Sequence, residues 1–112
     1  MFTGNITVEY GNAGFKIEAD YFEDLTVGYD EVDSVELVED FDRGTRVYGF
    51  GSSKLLMGTF ESDTYGKYTL YAYTKCDYGV VVRSGEKTLI ITGKDKVETE
   101  KIYEKLNLFC GD

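Results

Sequence analysis

Most of this chain is written in a two-residue rhythm, and only its last stretch changes to a helical one. From Asn5 to about Gly93, apolar residues mostly alternate with polar ones, and turn residues punctuate them. At Asp95-Lys96-Val97-Glu98 the pattern becomes helical and stays so through Phe109. Side chains alternate between two faces along a strand but recur every three to four residues on a helix face. Many strands followed by one helix leave few architectures, chiefly small barrels and sandwiches with a helix at one end. The length, 112 residues, suits one domain, and 42% apolar content marks it as globular rather than disordered. The expectation is a single domain over 1–112, with strands at about 5–92 and a helix at about 95–109.

Ile6, Val8 and Tyr10 alternate with Thr7 and Glu9 and predict a strand. The turn Gly11-Asn12-Ala13-Gly14 joins it to a second strand carrying Phe15, Ile17 and Ala19. Residues 21–32 read as a short strand or as a loop with apolar anchors at Phe22, Leu25 and Val27. Val32, Val35, Leu37 and Phe41 mark a strand at about 33–40, and Asp40 to Thr45 form a turn. Strands follow at 46–51, 55–61, 67–74, 80–83 and 88–92. Gly49, Gly51 and Gly58 lie inside strand patterns, where glycine marks a bulge, a bend or a close backbone approach. The helix starts at Asp95, which caps the first turn while Glu98 reaches back, and Thr99, Ile102, Tyr103, Leu106 and Phe109 share one face. Gly111 stands where a helix often ends.

Charge is divided unevenly. Net charge is −9, yet residues 1–42 hold twelve acidic side chains and one basic one, Lys16. Such a field repels phosphate, so nucleic acid is not an expected partner. The absence of His removes Ser-His-Asp and Cys-His catalysis and His metal sites. Asp40-Phe41-Asp42-Arg43-Gly44 lacks the remaining ligands of a calcium loop and reads as a turn. Gly49-Phe50-Gly51-Ser52-Ser53-Lys54 lacks the spacing of a phosphate loop. No cofactor or metal is expected, and the chain is not expected to be an enzyme. Met1-Phe2-Thr3-Gly4-Asn5 has neither a basic nor an apolar signal region, and no apolar run reaches the ~20 residues of a membrane span. The expectation is therefore a cytoplasmic protein in which Cys76 and Cys110 are free thiols.

Three stretches carry a family resemblance. They are Glu31-Val32-Asp33-Ser34-Val35-Glu36-Leu37, then Gly44-Thr45-Arg46-Val47-Tyr48-Gly49, then Met57-Gly58-Thr59-Phe60. Together with Tyr68-Thr69-Leu70-Tyr71, Leu89-Ile90-Ile91 and the helix from Thr99 to Leu106, they resemble the bacterial pleckstrin-homology-like (PH-like) domain family. The resemblance runs from about Ile6 to Leu106. It implies a barrel of two orthogonal antiparallel sheets capped by one C-terminal helix, a binding or assembly role, and no catalytic residues. Relatives that bind phosphoinositides use several Lys and Arg on the first hairpin. Here that hairpin offers Glu9 and Lys16, so phosphoinositide is not an expected ligand.

The expected function is a non-catalytic interaction module acting through protein contacts or self-assembly. The alternative is a carrier holding a small apolar ligand inside the barrel. The candidate interaction surface is Arg46, Tyr48 and Phe50 on one strand face, with Tyr71 and Tyr73 on another. Tyrosine suits interfaces because it joins apolar area to a polar tip with few rotors to freeze.

Overall fold

The computed structural model describes residues 5–20 and 22–110. Tyr21 and Gly111, both within segments read above, lie outside the described residues. Nine strands form: β1 (Ile6–Tyr10), β2 (Gly14–Ala19), β3 (Leu25–Gly28), β4 (Ser34–Glu39), β5 (Thr45–Gly51), β6 (Leu55–Ser62), β7 (Gly66–Tyr73), β8 (Tyr78–Ser84) and β9 (Lys87–Ile91). The helix α1 spans Lys96–Cys110. The ambiguous segment resolves into β3 followed by one 3-10 turn at Tyr29–Glu31. Phe41 is not part of a strand; it lies in the β4–β5 connection.

The strands make two sheets, of order β1-β2-β3 and β4-β8-β9-β7-β6-β5. Two points differ from the expected barrel. The sheets do not close on each other, so β1, β3, β4 and β5 keep free edges. The ladders are also not all antiparallel, because β7 pairs β9 in parallel at Thr69–Leu89, Leu70–Ile90 and Tyr71–Ile91. The two sheets and the single C-terminal helix are as expected, whereas local alternation does not say which strands become neighbours, and closure and strand direction are where the fold departs.

Both faces of the larger sheet are buried. Leu55, Met57, Tyr71, Tyr73, Val80, Val82, Leu89 and Ile91 face the small sheet and α1, and with Phe15, Ile17 and Leu106 they form the main core. The alternate residues Phe60, Tyr68, Leu70, Ala72, Val81 and Ile90 form a second cluster on the opposite face, covered by Phe41. The runs Val80-Val81-Val82 and Leu89-Ile90-Ile91 are what a strand covered on both faces requires.

Phe41 reaches its place because β4 and β5 occupy opposite edges of the sheet. The path from Glu39 to Thr45 is six Cα steps, at most about 21 Å. A flat six-stranded sheet would need about 24 Å, so the sheet must curl. Arg43 pins the crossing: its guanidinium donates to the carbonyls of Thr74 (2.8 Å) and Cys76 (2.6 Å), and Tyr68 Oη donates to the Arg43 carbonyl at 2.7 Å.

α1 packs on β4 and β8. Its start follows the expected cap with one shift: Asp95 accepts from the Glu98 N–H, and the Glu98 carboxylate accepts from the Lys94 N–H. Leu106 and Thr99 are fully buried, while Ile102 and Tyr103 are half-buried against the core. Phe109 keeps 42% of its surface exposed, but its ring stacks on Tyr29 at 5.2 Å. Cys76 and Cys110 are both free thiols.

Candidate functional site

Half of the twelve carboxylates in residues 1–42 are engaged in local structure. Asp20, Glu31, Asp33 and Asp42 accept hydrogen bonds from the backbone N–H groups of Asn5, Gly28, Gly85 and Thr64. Carboxylates that satisfy turn and strand-end donors need no external cation to explain them. The ε-ammonium of Lys16, the lone cation of the first hairpin, sits 3.6 Å from Glu18 and 3.7 Å from Asp24.

The five candidate residues separate into two groups. Tyr71 and Tyr73 are buried, at 2% and 6% exposure, and as surface anchors they must be corrected. They belong to the tie between the two sheets. Tyr73 Oη accepts from the Ile6 N–H at 2.9 Å and donates to the Ile6 carbonyl at 3.3 Å. Tyr71 Oη donates to the Glu23 carbonyl at 2.6 Å, in the β2–β3 connection. Burial pushes the Tyr71 phenol up to about 12, with Glu23 and Asp24 adding to the shift. The volume that a carrier would need is filled here by Phe15, Ile17, Met57 and these two rings. Among the described residues, hollows of about 400–630 Å³ open to solvent, and the one of about 410 Å³ between β3 and the larger sheet is lined by Leu25, Val27, Val82 and Leu89.

Arg46, Tyr48 and Phe50 lie on β5, but they do not share a face. Arg46 opposes Phe60, whereas Tyr48 opposes Thr59, so a bulge at Val47 reverses the alternation. Tyr48 and Phe50 therefore look toward the main core, and Phe50 packs against it half-buried. Arg46 looks to the other side, where its guanidinium lies in the space Gly51 leaves without a side chain.

The backbone of β5 approaches β6 closely. Gly49 (φ 134°) and Gly58 (φ 131°) oppose each other in the ladder. A Cβ on Gly49 would run into the Met57 carbonyl, and one on Gly58 into the Tyr48 carbonyl. At this rung only glycine fits on either strand.

The opposite margin of β5 pairs with no other strand. Val47 is 52% exposed and Tyr48 65%, the largest apolar exposure on any strand among the described residues. Phe22 leans on Tyr48 at 6.3 Å between centroids and on Tyr71 at 5.9 Å, which joins the surface tyrosine to the interior. Plain alternation sets Val47 on the face opposite Arg46, Tyr48 and Phe50, and the sequence marks Phe22 only as an anchor. The glycines at 49 and 51 flag an irregularity in this strand, but Arg-Val-Tyr itself reads as ordinary alternation and does not place the bulge at Val47.

No helix among the described residues is long and apolar enough to cross a membrane. No similar protein of curated function and no similar solved structure was found. The chain matches the family described as "Bacterial PH domain" over residues 7–107, from β1 into the last turns of α1. With that match spanning nearly every strand and the closing helix, the chain belongs to the bacterial PH domain family.

Proposed function

We propose that this domain is a non-catalytic interaction module that holds a protein partner along the free edge of β5. PH-like domains in general serve as interaction modules rather than enzymes. The observation that carries the reading is the edge itself, seven residues long with Val47 and Tyr48 exposed beside it. An edge strand offers unpaired N–H and C=O groups to an added strand, and neighbouring side chains supply the selectivity. The bulge interrupts the row at Val47. Strand pairing is therefore confined to the alternate outward-facing backbone groups past the bulge, with Val47 and Tyr48 as side-chain anchors and Arg46 on the other face.

Protein suits this surface better than anionic lipid. Lys16 is already held by two carboxylates, and Arg46 is the single cation of β5. The partner is either another protein or a second copy of the chain. The test is the pair Val47→Lys and Tyr48→Lys, which replaces two exposed side chains, gives up the Tyr48–Phe22 ring contact and opposes edge pairing by charge. Circular dichroism checks the fold, sedimentation reads self-association, and affinity capture from the native cell reads partner retention. The reading expects one of the two associations to be lost in a folded variant. Retention of both removes β5 as the contact.

A further inference from the structure

The free edge of β1 carries a second surface, distinct in chemistry from β5. Ile6 turns both its N–H and its C=O away from β2, toward Tyr73 Oη. Backbone groups alternate in direction along an antiparallel strand, so those of Val8 point the same way. Among the described residues nothing takes them. Alongside runs a groove of about 400 Å³, with Val8 on one wall and Lys94, Glu98, Lys101 and Ile102 on the other. The groove stops beyond Val8, where the Tyr10 ring meets Phe109 at 5.9 Å.

The charge of the groove opposes that of the chain. Lys94 and Lys101 are exposed, and among the described residues neither has a carboxylate within salt-bridge distance. Glu98 lines the groove too, but its carboxylate accepts from the Lys94 N–H at 3.2 Å. Two uncommitted ammonium groups thus stand beside a cleft whose facing walls carry Val8 and Ile102, on a chain of net charge −9.

We propose that this groove binds a short, extended peptide segment with acidic residues at its C-terminal end. An antiparallel segment makes its rung at Val8 and sets an apolar side chain between Val8 and Ile102. Tyr73 Oη occupies the next rung at Ile6, so the segment turns outward there. Antiparallel direction fixes the order: the end leaving past Ile6, toward Lys94 and Lys101, is the C-terminal end. Its carboxylates meet the two ammonium groups.

The probe is a fluorescein-labelled peptide, Val-Thr-Val-Glu-Glu-Glu, read by anisotropy against its reversed sequence and against a version with Lys for Glu. Binding to the wild-type chain should exceed that of either control by about tenfold, equivalent to about 1.4 kcal/mol, and weaken as salt rises. Lys94→Glu with Lys101→Glu should abolish that preference, because both side chains are exposed and bear no core contact. Amide shifts in the wild-type NMR spectrum should centre on Val8 and Ile102. The proposal is overturned if the peptide does not bind, if the reversed or Lys peptide binds equally, or if the double variant binds unchanged. It is equally overturned if the shifts centre on β5. Loss of the β5 contact by Tyr48→Lys leaves this result unaffected, so the two surfaces fail separately.

Discussion

Replacing Tyr73 with Phe removes one oxygen atom and tests how the two sheets are joined. The Tyr73 ring lies in the main core and would stay there, since Phe retains its shape. What disappears is the hydroxyl between the Ile6 N–H at 2.9 Å and the Ile6 carbonyl at 3.3 Å. The shorter contact decides the magnitude. A half-buried backbone N–H left without its acceptor costs about 1–3 kcal/mol, while the long donor contact adds little. Tyr71→Phe is the internal comparison. It removes a bond of 2.6 Å to the carbonyl of Glu23, an exposed residue. Water can replace that donor, so the expected loss is smaller, about 0.5–1.5 kcal/mol. Urea unfolding followed by circular dichroism separates the two, provided the slope with denaturant is unchanged. A loss below about 0.5 kcal/mol for Tyr73→Phe, within the range of ordinary surface substitutions, would refute the role of Tyr73 as a tie between sheets.

Leu106→Ala should cost about 2–5 kcal/mol in the same assay, because Leu106 is fully buried between α1 and the core; an unchanged urea midpoint would displace the helix. Gly58→Ala should destabilise the β5–β6 ladder by more than about 1 kcal/mol, since its φ of 131° is unsuited to a Cβ and Tyr48 blocks the space. Protection of the β5 amides in hydrogen exchange would fall with it. Stability should also decline in alkali. Burial raises the phenols of Tyr10 and Tyr71 to about 12, Tyr29 adding to the first and Glu23 and Asp24 to the second. The unfolded chain loses these protons near pH 10 and the folded chain does not. The stabilisation is therefore complete below pH 10 and is lost as pH rises toward about 12. A urea midpoint flat from pH 9 to about 12 would contradict that burial.

The strands and the helix were legible in the sequence because their signals are local. Alternation marks β1, β2 and β7, and Asp95 and Glu98 mark the start of α1. The family was legible for the same reason, since its motifs lie within single strands. The site was only half legible. Which side of β7 faces water depends on what covers each side, and Phe41 covers the side that holds Tyr68, Leu70 and Ala72. With both faces taken, Tyr71 and Tyr73 had no surface left to occupy. A signal was present in the neighbouring runs at 80–82 and 89–91, whose unbroken apolar character belongs to strands buried on both faces. The in-strand glycines announce an irregularity in β5 but not its position at Val47, and the parallel β7–β9 ladder depends on contacts between distant segments that no short window of sequence records.

The claim that β5 is the contact edge is tested most directly by a photo-crosslinking amino acid placed at position 48 in the native cell. The same group at position 63, in the β6–β7 turn, serves as a control on an exposed site away from the edge. After irradiation, adducts are separated by size and identified by mass spectrometry. The account predicts a discrete adduct at position 48, with a second copy or another protein, that is absent at position 63 and lost when Val47→Lys is added. Adducts that form equally at both positions, or at position 63 alone, would contradict it.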